Sequence, residues 1–93
     1  MENFEFEWDD EKAESNLEKH GVSFEEAATI FNDPYIATIA DPDHSMDEER
    51  YVSLGVSVVM RLLSVAHVYR NERVRLISAR KATKAEKKYY ENN

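Results

Sequence analysis

An α+β domain with the element order βααββββα is what the sequence predicts, and three observations carry the prediction. Two short helical segments with start and stop signals lie between residues 9 and 32. A run of β-branched and aromatic segments separated by turn residues fills 35 to 81. The chain then closes on a capped, lysine-rich helix. The last three strands are close enough in sequence for an antiparallel meander, so a twisted antiparallel sheet is expected, with two helices on one face and the other face available. At 93 residues, with no repeat and no linker, residues 1–93 are expected to form a single domain.

The elements follow in order. "FEFEW" alternates Phe4, Phe6 and Trp8 with Glu5 and Glu7, the period of a strand with one buried face. "DDEKAESNLEKHG" places carboxylates in its first turn, Lys19 and His20 in its last, and Gly21 just beyond, matching the helix dipole. Its inner face is expected to carry Ala13, Leu17 and His20. "SFEEAATIF" opens with Ser23 and has Glu26 three residues on, a capping-box pattern. Pro34 ends that helix and "YIATIA" reads as a strand. After the acidic loop "DPDHSMDEER", the segments "YVSLGV", "MRLLSVAHVY" and "RVRLISARK" read as three strands. Thr83 and Glu86 then form the cap of a final helix, "TKAEKKYYE".

Two glycines, two prolines and 42 % apolar residues argue for a folded globule. Cysteine is absent and "MENFEFEWDD" lacks the features of a signal peptide. Val56 to Tyr69, interrupted by Arg61 and His67, is too short to span a bilayer. A cytoplasmic protein without membrane contact is therefore expected. Charge is divided sharply. From Met1 to Glu49 there are sixteen Asp and Glu against two Lys, a net of −14; from Arg50 to Asn93 there are ten Lys and Arg against three Glu, a net of +7. Such asymmetry points to a polyanion contact on the basic side, or to two faces that neutralise each other.

No phosphate-binding glycine loop, HExxH or nucleophile elbow occurs. The acidic loop has carboxylates but neither EF-hand spacing nor a glycine for the turn, so no metal and no cofactor are expected. What remains is Arg, Lys, His and Tyr on strands, a set that can cleave RNA without metal because the 2′-hydroxyl is a built-in nucleophile. The arginine fork matches phosphate oxygens, and histidine titrates near neutrality. Candidate catalytic residues are His67, Arg75 and Arg80, with Tyr69, Lys81, Lys84 and Lys87 as RNA-binding candidates. With a two-residue turn at Asn71-Glu72, His67 should pair with Leu76. It would then share a face with Tyr69, Ser78 and Arg80, while Arg75 points to the other face. Arg75 and Arg80 serve one site only if the strand bulges or ends before Arg80. The plain alternatives are a hydrogen-bonded structural His67 and arginines paired with the acidic half.

"FEWDDEKAESNLEKHGVSFEEAATIFNDP", "ERYVSLG" and "RVRLISARKATKAEKKYYE" together resemble the BrnT family of bacterial toxins, over Phe6 to Glu91. The patterns W-D-x-x-K-x-x-x-N-x-x-K-H-G-V-S-F and R-x-I-S-A-R-x-A-T carry the resemblance. It implies a RelE-like ribonuclease fold and an endoribonuclease toxin that stops translation. It also implies neutralisation by a BrnA-type antitoxin, through which the complex contacts operator DNA. By position, the family's basic strand residues fall on Arg75 and Arg80, with His67 on the strand before. Where the family often has further arginines, this chain has Lys81, Lys84, Lys87 and Lys88, which keep charge but lose the bidentate fork. Two other readings stand beside the enzyme: a non-catalytic module that pairs with a DNA-binding antitoxin and tunes its repression, and a toxin relative that has lost activity.

Overall fold

The computed structural model of the protein describes residues 4–44 and 46–93. Strand β1 (Phe6–Glu7) leads into helix α1 (Asp10–His20) and helix α2 (Phe24–Ala28), which runs on as a 3₁₀ turn over Thr29–Asn32. Strand β2 (Ala37–Ala40), a 3₁₀ turn at Pro42–His44, and strands β3 (Arg50–Val56), β4 (Leu62–Arg70) and β5 (Arg73–Lys81) follow, and helix α3 (Lys84–Glu91) closes the chain.

One five-stranded sheet has the order β1-β5-β4-β3-β2. The four long-range antiparallel strands β2 to β5 form a meander, but β1 lies parallel to β5 through Phe6–Val74 and Glu7–Arg75. The sheet is therefore mixed, not antiparallel throughout. Because β1 hands over directly to α1, no neighbouring segment can pair with it; it joins the β5 edge, where the Val74 amide donates to the Glu5 carbonyl at 2.8 Å.

Local chemistry explains the ends of the helices. The Asp9 carboxylate accepts from the Glu11 and Lys12 amides, and Gly21 takes the left-handed conformation (φ 68°) that ends α1. Ser23 caps α2 by accepting from the Glu26 amide at 3.0 Å. The Glu26 side chain does not complete the box; it reaches Arg61 and the Ser57 hydroxyl, tying α2 to the β3–β4 hairpin. Thr83 and Glu86 do form both halves of a capping box.

Side chains alternate across the sheet, and that alternation fixes the two faces. Leu63 and Val65 of β4, with Val74, Leu76 and Ala79 of β5, pack against Val22, Phe24, Ala27 and Ile30. Full burial of a side chain such as Phe24 stabilises by about 1.5–3 kcal/mol. The opposite face carries Leu54, Ser64, Ala66 and Val68, and α3 lies on part of it. Ala85 and Tyr89 line an apolar groove there with Ile39, Val52 and Leu54. Tyr90 of α3 donates to Asp33, whose carboxylate also accepts from the Val56 amide at 2.8 Å.

Helix α1 departs from expectation. Leu17 is 51 % exposed and His20 is exposed, whereas Asn16 is buried. Its amide donates to the Ala79 and Val22 carbonyls, both at 2.9 Å, and its carbonyl accepts from the Ala79 amide at 3.0 Å. Asn16 thus serves the β5 edge beyond the reach of the two-residue β1, meeting the backbone groups that another strand would have met. The helix turns a polar residue inward because its neighbour is a strand edge, not an apolar face.

Among the described residues, no helix is long and apolar enough to cross a membrane.

Candidate nucleic-acid interface

Strand pairing places His67 opposite Leu76, as the two-residue turn predicts, with Val68 opposite Arg75 and Arg70 opposite Arg73. The ladder then shifts: Ala66 pairs with Ser78, and Ile77 is the extra residue of a bulge. This overturns the expected face assignment. Ser78 and Arg80 move to the face of Arg75 and Val68, and Ala79 takes their place beside the core. Arg75 and Arg80 therefore share a face, roughly 13–16 Å apart along the strand.

His67 lies on the opposite face. It is fully buried, with its ring edge-on to Phe31 and Tyr69 and stacked on Tyr51. Nε2 lies 2.8 Å from Ser53 Oγ, which in turn lies 2.7 Å from Thr38 Oγ1. Nδ1 has no hydrogen-bond partner among the described residues. Burial pushes the imidazole pKa down to about 4, so the ring is neutral near pH 7. A neutral ring sealed beneath the helices does not reach a phosphate held by Arg75. Tyr69 is half-exposed on this same helical face, away from the arginines. The candidate trio of His67, Arg75 and Arg80 is thus divided between two sides of the sheet.

Around Arg75 the structure gathers different neighbours. Arg50, Val68, Arg75 and Glu7 form one row across β3, β4, β5 and β1. Two strand spacings, about 10 Å, separate the backbones of Arg50 and Arg75, within reach of two long side chains converging on one phosphate. A groove at this row is lined by Lys12, His44, Glu48, Arg50, Val68 and the bulged Ile77. Lys12 enters from α1, His44 from the Pro42–His44 turn and Arg50 from the start of β3. That turn is anchored beside Arg50 by the Asp41 amide, which donates to the Arg50 carbonyl at 2.7 Å. Lys12 and Arg50 stand within the sequence patterns "WDDEK" and "ERY", a signal that could have marked them; His44 carried no such signal.

The charge division is partly spent inside the molecule. Arg75 Nη1 donates to Glu7 at 3.1 Å, Arg73 faces Glu5 at 3.3 Å, Arg70 pairs with Glu48, and Arg61 pairs with Glu26. Each joins the basic half to the acidic half. Arg80 differs: it forks onto both oxygens of Glu86 at 2.8 and 2.9 Å, joining β5 to the cap of α3. Arg70 beside Glu48 holds that carboxyl below its ordinary range, with Arg75 adding to the effect. Arg80 does the same to Glu86. A phosphate arriving at the groove would compete with Glu7 for Arg75 and with Glu48 for Arg70. Both pairs are partly exposed and individually weak, so displacement is feasible.

Lys84, Lys87 and Lys88 are exposed on one side of α3, opposite Ala85 and Tyr89, and Lys81 is exposed at the end of β5. They extend a positive surface from the Arg80 end of the sheet. Among the described residues no cluster of three or more His, Asp or Glu could hold a metal ion.

A family model described as "Ribonuclease toxin, BrnT, of type II toxin-antitoxin system" matches residues 8–86. A search of curated proteins finds no match. Among solved structures, the 1.1 Å crystal structure of the Brucella abortus ribonuclease toxin BrnT resembles this chain with a TM-score of 0.63 and 19 % identity, covering 88 % of this chain and 100 % of that one. At that identity the likeness concerns the fold.

Proposed function

The chain belongs to the BrnT family of ribonuclease toxins of type II toxin–antitoxin systems, and from that premise we propose that it is an endoribonuclease that cleaves RNA by metal-independent transesterification in the cytoplasm and so inhibits translation. The single observation that carries the reading is the family match over residues 8–86. The Arg50–Val68–Arg75 row supports the reading with two arginines on one face of the sheet.

Attack of a 2′-oxygen on the adjacent phosphorus builds negative charge on the phosphorane oxygens. Arg75 and Arg50 meet that charge from two strands, and such fixed donors are typically worth about 10²–10³ in rate. Arg80, Lys81, Lys84 and Lys87 follow the RNA backbone away from the groove, and the affinity they supply falls steeply with salt. Tyr69, on the other face, would meet only RNA that bends around the β4–β5 turn. A BrnA-type antitoxin is the proposed protein partner, and operator DNA is contacted only through that complex.

A second reading, a non-catalytic module paired with a DNA-binding antitoxin, gains support from Arg80, whose fork is committed to Glu86. Arg75→Ala separates the two readings better than Arg80→Ala, which also loosens α3. In bacteria lacking the partner, the enzyme predicts growth arrest and cleaved RNA for wild type, both lost in Arg75→Ala. The module predicts normal growth and intact RNA for both proteins at confirmed soluble expression.

A further inference from the structure

We infer that His44, held by Asp41, is the proton-accepting catalytic residue of the groove, acting on the 2′-hydroxyl of an RNA whose scissile phosphate lies between Arg50 and Arg75. The inference rests on the ribonuclease reading and supplies what that reading leaves open, the group that accepts the 2′-hydroxyl proton.

The geometry has four parts. His44 Nδ1 lies 3.0 Å from Asp41 Oδ2 and 3.2 Å from Oδ1, so the carboxylate accepts the Nδ1 proton and leaves Nε2 as the ring's acceptor. A carboxylate in that position fixes both tautomer and ring orientation. The hydrogen bond closes a short turn: the His44 amide donates to the Asp41 carbonyl at 3.2 Å, and the Asp41 amide bonds to Arg50. The side chain is 63 % exposed, open to a macromolecular substrate as His67 is not. Finally, His44 lines the same groove as Lys12 and Arg50. The charged groups facing it there are Lys12 from α1, Asp47 and Glu48 from the loop, and Arg50 from β3.

The step balances without any further reactant. His44 Nε2 takes the proton of the 2′-hydroxyl as O2′ bonds to phosphorus. The bond from phosphorus to O5′ breaks, its electron pair goes to O5′, and that oxygen takes a proton from the Lys12 ammonium. The products are a 2′,3′-cyclic phosphate and a 5′-hydroxyl. His44 then releases its proton to water, and Lys12 regains one.

The test uses the full chain with a short oligonucleotide containing one ribonucleotide, and the same oligonucleotide fully deoxy as the control. His44→Gln should lower kcat about 10²–10⁴-fold, leave binding of the uncleavable deoxy strand unchanged, and abolish the acid limb of the pH–rate profile. Asp41→Asn, a change at a positioning residue, should keep that limb and lower kcat by less than His44→Gln does, with binding of the deoxy strand unchanged. A His44→Gln protein that cleaves at the wild-type rate, or that keeps the acid limb, overturns the assignment of His44 while leaving the ribonuclease intact. A soluble wild type that leaves the ribonucleotide strand whole overturns the ribonuclease reading, and this assignment with it.

Discussion

Arg75 and Arg80 project from the same face of β5, although five positions separate them, because Ile77 is an extra residue in the ladder. Their circumstances differ. Arg75 leans on Glu7 across a parallel strand pair, while Arg80 is locked in a fork with Glu86. Arg75→Ala should therefore reduce RNA cleavage about 10²–10³-fold and change stability by about 1 kcal/mol, since a single partly exposed pair contributes little. Arg80→Ala should show its larger effect in urea unfolding. Cleavage rates and unfolding midpoints of the two variants, measured side by side, check this.

Asn16→Ala removes three hydrogen bonds at once and leaves the Ala79 amide and the Ala79 and Val22 carbonyls buried without their partner. The expected loss is about 3–5 kcal/mol, the lower part of what three buried groups give at about 1–3 kcal/mol each. Urea unfolding checks the magnitude. Hydrogen exchange should show faster exchange at Ala79.

Gly55 lies where the 3₁₀ turn crosses β3. A Cβ at that position would stand 2.9 Å from Ile30 Cβ and 3.1 Å from the Ile30 carbonyl oxygen. Gly55→Ala should destabilise by about 1–3 kcal/mol, as overpacking does in a tight core. Because alanine keeps the Cβ and carbonyl that make the contact, Ile30→Ala in the Gly55→Ala background should cost about what it does in wild type, and the double-mutant cycle measures the difference.

His67 gives stability a pH dependence of definite sign. Its folded pKa, about 4, lies below the ordinary value of 6.5. The unfolded chain therefore binds the extra proton first, and the neutral ring's contribution is complete above pH 6.5 and lost as the pH falls toward 4. The span corresponds to about 3 kcal/mol. In His67→Leu, where Ser53 keeps its bond to Thr38, the slope of stability between pH 6.5 and 4 should shrink. Glu26 and Asp33 act in a lower window. Glu26 is held down first by Arg61; at Asp33 burial pushes upward, but bonds from Tyr90, Val56 and Tyr35 outweigh it. Their contributions are present above the ordinary carboxylate range and lost below it.

Sequence patterns near in chain reveal much of this fold. Caps at Ser23 and Thr83, period-two strands and the Asn71-Glu72 turn lead to the helices and to the His67–Leu76 register. The bulge at Ile77 has no glycine or proline to mark it, so the side of the sheet on which Arg80 stands was not legible. Nor was the parallel pairing of β1, which joins residues 68 positions apart. The groove was the least visible part. Lys12, His44 and Arg50 come from a helix, a loop turn and a strand; Lys12 and Arg50 fall within the quoted patterns, but nothing in the sequence joins them with His44 in one groove. His67, the most conspicuous titratable residue in the sequence, owes its polarity to a bond with Ser53 inside the core.

The most direct measurement incubates the purified chain, without partner and in excess chelator, with a defined RNA and determines the fragment ends. Fragments ending in a 2′,3′-cyclic phosphate and beginning with a 5′-hydroxyl, absent with Arg75→Ala, are the expected result. Intact RNA from folded wild type, or equal cleavage by both proteins, would contradict it.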